Sequence, residues 1–428
     1  MSDVLGTLRE RGFVEQCTNE AALQRLLSTE RVTYYCGFDC TADSLHASQL
    51  LPIFAMRHLQ LAGHRPVAII GGGTTMVGDP SGKTEMRQMM LAEQIEANGV
   101  SISQQLQRFL DLSSSSRGLF LNNADWLLPI KYVDFLRDIG RHFRVNEMLK
   151  TEAYRTRFER GEGLSFIEFN YQLLQAYDFL HLFEQHGCRV QIGGSDQWGN
   201  IVAGIDLVRR MSGQDSFGLT FPLLTTARGE KMGKSAGNAV WLAKDKTSPY
   251  DFYQYWINVD DRDVERFLAY FTFLPMDEVR RLGSLKEAAI REAKEILAYE
   301  VTTLTHGEAE AARARAAAHA AFGHVTVVPD MAILKLKTFA PPVDVSLIPT
   351  KTLDAERLAK GMTIVDLFVV VGLTASKGEA RRLVEQGGAY VNERPITDIA
   401  TVIDASRLEG GGLMLRSGKK KYLRVVAG

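Results

Sequence analysis

Short apolar runs that stop at glycine or aspartate, separated by stretches with helical spacing, dominate the first half of the chain. Val32 to Phe38 is β-branched and aromatic, and Asp39 closes it; a helix is predicted from Ser44 through His58. Arg65 to Ile70 is apolar after its first residue and closes at Gly71-Gly72-Gly73, as a strand buried on both faces does. Arg189 to Gly194 and Gly218 to Leu224 repeat the pattern. Strands alternating with helices of ordinary length predict a doubly wound α/β domain, in which ligands gather beyond the carboxyl ends of the strands. Those ends deliver Asp39, Asp79, Asp196 and a lysine loop, Lys231-Met232-Gly233-Lys234-Ser235.

After Pro249 the spacing becomes that of amphipathic helices, and Leu282 to Phe322 is rich in Ala, Glu and Arg, predicting a helical domain with a solvated charged face. Prolines and few helix signals follow, so a linker is placed at 326–358. A third unit is predicted over 359–428: a helix from Gly361, a capped basic helix between Ser376 and Gly388, a strand at Ala389 to Asn392 and a terminal basic strand.

With 428 residues the chain needs more than one core, and a net charge of −1 means that any polyanion must be met by a local basic surface. Lys377, Arg381 and Arg382 share a helical flank, and Lys419, Lys420 and Lys421 add cations from the last strand, a pattern that suits structured RNA. A solubilising basic tail is the competing reading. The four cysteines show no paired metal spacing and suit a reducing compartment. With no signal-like or membrane-length apolar run, a cytoplasmic location without a membrane partner is expected. The lysine loop sets two flexible cations three positions apart, suited to a leaving pyrophosphate, although spacing alone equally describes a solvated turn.

Several motifs occur in one order: Tyr35-Cys36-Gly37-Phe38-Asp39, Ala42-Asp43-Ser44-Leu45-His46, Gly71-Gly72-Gly73-Thr74, Gly78-Asp79-Pro80-Ser81-Gly82-Lys83, Glu168-Phe169-Asn170-Tyr171, Gln175-Ala176-Tyr177-Asp178-Phe179, Gln191 to Asn200, and the lysine loop. Together they resemble the catalytic domain of bacterial tyrosyl-tRNA synthetases, and the resemblance runs through nearly the whole chain. It implies a Rossmann-like catalytic domain at 1–246 with a dimerisation insertion near 120–165, a helical anticodon-binding domain at 247–325, and a small α+β RNA-binding module at 359–428. The implied activity joins L-tyrosine to tRNA(Tyr) through tyrosyl-adenylate. ATP enters with Mg2+ and no permanently bound cofactor or protein metal site is expected; a homodimer is.

By the same resemblance, Tyr35 and Asp178 meet the phenolic hydroxyl, while Tyr171, Gln175 and Asp79 hold the α-ammonium group. Gln197 lies near the substrate carboxylate. Gly37, Asp39, Thr41, Gly194 and Asp196 serve ATP, and Lys83 and Arg87 serve pyrophosphate or the tRNA end. His46, Lys231 and Lys234 stabilise the phosphates. One segment departs from the pattern. The family carries His-Ile-Gly-His or a close relative, whereas this chain reads His46-Ala47-Ser48-Gln49. Ser48 puts a β-carbon and a hydroxyl where glycine lets adenine lie flat, and Gln49 keeps polarity without imidazole shape or charge. Because both loop lysines, His46, the acidic ribose-side residues and the full tyrosine pocket remain, retained tyrosine activation is expected, against two alternatives: a paralogue that activates a tyrosine-like amino acid, or an RNA-binding protein with an impaired site.

Overall fold

The computed structural model describes residues 3–81, 90–161, 163–229, 232, 234–235, 238–322, 350–392, 394–408, 412–418 and 421–427. The chain divides into two compact units, Met1–Pro341 and Pro342–Gly428.

In the first unit, strands β1 (Gln16–Cys17), β2 (Thr33–Phe38), β3 (Arg65–Ile70), β4 (Leu119–Asn122), β5 (Cys188–Gly194) and β6 (Phe217–Phe221) form one sheet in the order β1-β6-β5-β2-β3-β4. All neighbours are parallel except β1, which runs antiparallel to β6 at the edge. The order reverses between β5 and β2, so the helices that follow those strands cover opposite faces and leave a crevice at the strands' carboxyl ends. Register sharpens this: Phe38 pairs with Ile70 and Gly194 with Phe221 in the last rungs, so the residues that follow emerge together.

Alternation along β2 divides the core. Tyr34 faces one layer, where its hydroxyl donates to the Met56 carbonyl, and Tyr35 faces the other, edge-on to Phe179 at 5.3 Å. Helices Pro249–Ile257, Val264–Phe271 and Ile290–His306 add Trp256, Phe267, Phe271 and Leu297 to the cluster that holds Tyr34, so the core is continuous from sheet to helices. Buried Arg11 fastens this contact, donating to the carbonyls of Ala269 and Thr272 at 2.9 Å each. A two-residue hairpin, β7 (Lys234–Ser235) with β8 (Asn238–Ala239), follows the sheet.

The second unit holds β9 (Thr350–Leu353), β10 (Met362–Thr363), β11 (Ala389–Val391), β12 (Arg394–Ile396), β13 (Val402–Ile403), β14 (Leu413–Ser417) and β15 (Lys421–Ala427). Five of them form a sheet in the order β12-β11-β14-β15-β9, closed over helices Ile364–Val370 and Lys377–Glu385 by a core of its own. Strand β9 corrects the expected linker: Thr350 to Leu353 pair in parallel with β15 and belong to this unit, because their partners Arg424 to Ala427 offer a free sheet edge. Helix Ala355–Lys360 takes up the end of that stretch, and 326–349 lies outside the described residues.

The helix expected from Ser44 begins later. His46 is extended (φ −117°, ψ 166°), Ala47–Gln49 form a 3-10 turn, and the α-helix runs Leu50–Leu61. A bridge between His46 and Trp241, with Ala47 N donating to Val240 O and Leu242 N to Leu45 O, holds this segment against the chain that follows β8. Those pairings take up backbone groups that an earlier helix start would need.

Candidate active site

A cavity of about 430 Å³ occupies the crevice where the strand order reverses. It is lined by Tyr35, Gly37 and Asp39 from β2 and its end, by His46 and Gln49, by Gly71 and Thr74 after β3, by Asn123 after β4, and by Gly194, Asp196 and Gln197 after β5. Tyr171, Gln175 and Asp178 enter from one face of helix Tyr171–His186, as their spacing predicts. Thr41 and Asp79 also line it. The fold thus brings the described tyrosine-side and ATP-side residues to one wall. Two are not among the lining residues: Ser48 sits in the turn behind His46, bonded to it, and Lys234 lies in β7.

At the deep end, Asp178 is 4% exposed and accepts hydrogen bonds from Asn123 Nδ2 at 2.9 Å and Trp126 Nε1 at 2.7 Å. Burial pushes its carboxyl up to about 7; the two donors oppose that shift and the charge of Asp39 adds to it. Beside it Tyr35 is 2% exposed, and its hydroxyl has no hydrogen-bond partner among the described residues. Burial, then the neighbouring Asp178 charge, holds the Tyr35 phenol well above its ordinary range, so it stays a neutral donor. Gln191 Oε1, also in the wall, is likewise buried without a partner among the described residues. Burying such groups unpaired costs about 1–3 kcal/mol each, and a polar ligand would recover that cost.

Asn123 was not anticipated from sequence. It is 1% exposed, accepts from Gly73 N at 2.8 Å, and donates to Thr74 Oγ1 at 3.0 Å as well as to Asp178. Thr74 in turn donates to Asp39 Oδ1 at 3.1 Å, so one chain of hydrogen bonds joins the ends of β2, β3 and β4 to Asp178. Its sequence signal was the rule applied to the other strands, a polar residue just after an apolar run, at a strand only four residues long. Trp126, stacked on His181 at 4.4 Å, had no such signal.

Higher in the cavity, Asp79 Oδ2 accepts from Gln197 Nε2 at 2.7 Å and Oδ1 from Ser81 N at 2.9 Å. Asn200 Nδ2 donates to Gln175 Oε1 at 3.0 Å and to Gln197 Oε1 at 3.2 Å. The Tyr171 hydroxyl leans on Asp39 at 3.3 Å. These bonds fix the carboxylate and amide oxygens as acceptors around one volume, an arrangement suited to a cationic group. A β-carbon at Gly194 would lie 2.5 Å from Asp196 Oδ1, so that glycine makes room for its own neighbour; one at Gly37 would meet nothing within 4 Å.

At the other end, Gln49 Oε1 accepts from His46 N at 3.0 Å, and the Ser48 hydroxyl lies 2.8 Å from His46 Nδ1. Trp241 stands edge-on to the His46 ring at 6.1 Å, under Lys246, which pairs with Asp43. Of the lysine loop, Met232 is buried with its N–H on Leu224 O at 2.9 Å, and Lys234 lies in β7. Lys83, Arg87, Lys231, Lys419 and Lys420 fall outside the described residues.

In the second unit Arg381 and Arg382 are exposed on helix Lys377–Glu385, while Lys377 pairs with Asp366 at 2.7 Å and Lys421 opens β15. An exposed pair of this kind is worth about 0–1 kcal/mol and yields readily to a phosphate. Among the described residues no group of three or more His, Cys, Asp or Glu could hold a metal ion, and no helix is long and apolar enough to cross a membrane.

Comparison with known proteins agrees with this geometry. Residues 27–323 match the family of class I tRNA synthetases (W and Y), and residues 346–425 match the tyrosine–tRNA ligase SYY-like C-terminal domain. The chain is 51% identical over 425 residues to a tyrosine–tRNA ligase of Desulfatibacillum aliphaticivorans, covering 99% of this chain and 98% of the relative. It is 49% identical to one of Clostridium botulinum (strain Alaska E43 / Type E3), covering 99% of each. A C-terminally truncated mitochondrial tyrosyl-tRNA synthetase of Aspergillus nidulans superposes with a TM-score of 0.68 at 33% identity, over 75% of this chain and 95% of that one. The chain belongs to the tyrosine–tRNA ligase family of class I tRNA synthetases.

Proposed function

We propose that the chain activates L-tyrosine with ATP to tyrosyl-adenylate and transfers the tyrosyl group to tRNA(Tyr). The observation that carries this reading is the buried Tyr35 hydroxyl, without a partner among the described residues, beside Asp178 at the closed end of the cavity. A phenol entering there accepts from Tyr35 and donates to Asp178; a phenyl group leaves the Tyr35 hydroxyl without a partner and offers Asp178 no further donor beyond Asn123 and Trp126. Asp79, Gln175 and Tyr171 then receive the α-ammonium group, and Gln197, tied to Asp79, lies at the carboxylate.

The carboxylate attacks the α-phosphate of ATP in line and pyrophosphate leaves; the terminal ribose hydroxyl of the tRNA then attacks the carbonyl and AMP leaves. Positioning and charge stabilisation are sufficient, and no protein nucleophile is required. Gly37, Asp39, Thr41, Gly194 and Asp196 form the nucleotide's surroundings, with Ser48 behind them in the turn on His46. His46, Gln49 and the loop lysines Lys231 and Lys234 act on the phosphates, and Lys83 and Arg87 serve pyrophosphate or the tRNA end. Mg2+ enters with ATP as part of the substrate.

A second cleft of about 690 Å³ shares Ser81 and Asp196 with the first and adds Asn200, Arg144, Lys150, Trp198 and Arg210, a wall suited to the tRNA end. Helices within 247–325 take the anticodon arm, and Lys377, Arg381, Arg382 and Lys419 to Lys421 contact RNA from the second unit. Exposed Leu128, Tyr132, Val133 and Phe158, within 120–165, suit the seam of a homodimer. The test is tyrosine-dependent exchange of labelled pyrophosphate into ATP, followed by charging of tRNA(Tyr); exchange at background would overturn the reading.

A further inference from the structure

Ser48 stands where the family signature carries glycine, and its hydroxyl is bonded to the imidazole of His46. Two residues apart on a regular helix do not face each other. Here they do, because His46 is extended and caps the Ala47–Gln49 turn, folding its ring back across it. Among the described residues Nδ1 of His46 is the hydrogen-bond partner of the Ser48 hydroxyl, at 2.8 Å. A half-buried hydroxyl must place its proton somewhere. Donating it to Nδ1 satisfies both groups and leaves the proton of the neutral ring on Nε2, the tautomer set by the partner of the other nitrogen.

Gln49 completes the arrangement from the other side. The His46 backbone N–H can only donate, so the Gln49 amide must present Oε1 to it, and its remaining end is the donor Nε2. The turn's two unusual side chains are thus both bonded to His46, one to its ring and one to its backbone.

We propose that Ser48 is a positioning residue for adenylate formation: it fixes the rotamer and tautomer of His46 so that Nε2–H is presented to the phosphates. The proposal rests on the reading that the cavity activates tyrosine. It also reverses the simplest view of this substitution, in which serine only crowds the nucleotide.

The experiment is a double-mutant cycle in the full chain, reading kcat and KM for ATP and tyrosine in pyrophosphate exchange, alongside 15N spectra of histidine-labelled protein. Ser48→Ala is expected to lower kcat about tenfold, the effect of losing one neutral hydrogen bond, with KM for tyrosine unchanged. Ser48→Thr restores it, and Ser48→Gly behaves like Ser48→Ala. In a His46→Ala background, Ser48→Ala has no further effect. The His46 resonances of the native chain show a bare Nδ1 and a protonated Nε2, and Ser48→Ala gives mixed tautomers. A gain of activity in Ser48→Gly, or an equal fall in the His46→Ala background, would overturn the proposal, as would a native ring protonated on Nδ1 alone. The spectra test the tautomer without activity. Absent exchange with the expected spectra would therefore overturn the tyrosine-activation reading and leave the hydrogen bond established.

Discussion

The two ends of the cavity are built on different scales. At the phenol end, Asp178 is held by side chains delivered from beyond β4, and Asn123 reaches on through Thr74 to Asp39, so the ends of separate strands cooperate over more than a hundred residues of sequence. At the proposed nucleotide end, Ser48 and Gln49 both bond to His46 within a single turn. A network spread over the sheet tolerates little change, because altering one member orphans groups on several elements. A local turn can be rewritten by neighbouring substitutions that compensate each other.

The largest effect is expected at Asp178. Asp178→Ala leaves the donors of Asn123 and Trp126 unanswered, and Asp178→Asn turns an amide donor toward one of them. Both variants should lower kcat/KM for tyrosine by about a hundredfold to a thousandfold. If Asp178→Asn retains near-native activity, the network does not define the phenol end.

Asn123→Ala comes next. Asn123 helps hold down the Asp178 carboxyl, which stands at about 7, so its removal raises that value and protonates more of the acid at neutral pH. Tyrosine affinity should fall about tenfold at pH 7 and recover by about pH 8.5, below the range in which free tyrosine ionises. A titration that shows equal loss at both pH values would contradict this. Gln49→Ala removes one backbone bond from a solvent-reachable turn and should raise KM for ATP only severalfold, a cap-sized effect of about 1 kcal/mol.

The smallest effect is on stability. Burial raises Asp178 from 3.8 and Glu300 from 4.5, each to about 7. Folded values above unfolded ones mean that this stability is present below pH 4 and is lost as pH rises through 7. His58 and His306 run the other way, lowered by burial from 6.5 to about 3 and about 4, so their contribution is present above pH 6.5 and lost as pH falls through those values. The two falling and two rising contributions offset each other between about pH 4.5 and 6.5, so thermal melts should show a plateau there and a fall on the alkaline side complete by about pH 7, which Glu300→Gln should flatten. An unchanged alkaline limb would place the titration elsewhere.

Strands β2, β3 and β5 were legible because each is an apolar run ended by glycine or aspartate, and the three residues on helix Tyr171–His186 were legible through the family resemblance, with which their spacing agrees. What escaped were contacts whose partners are distant or whose pattern is too short. Four residues, Leu119 to Asn122, carry too little periodicity to announce a strand, so Asn123 went unread although it stands at the same position as the other site residues. The start of the helix was set too early because the backbone of Leu45 to Ala47 pairs with Val240 to Leu242, a tertiary contact no local pattern encodes. The His46–Ser48 bond was invisible for the same reason: it exists only once that pairing has drawn His46 into an extended conformation.

The most direct test of the account is pyrophosphate exchange by the native chain with tyrosine and, separately, with phenylalanine. Exchange supported by tyrosine and not by phenylalanine, and lost in Asp178→Asn, is predicted. Exchange at background with tyrosine, or equal exchange with both amino acids, would contradict it.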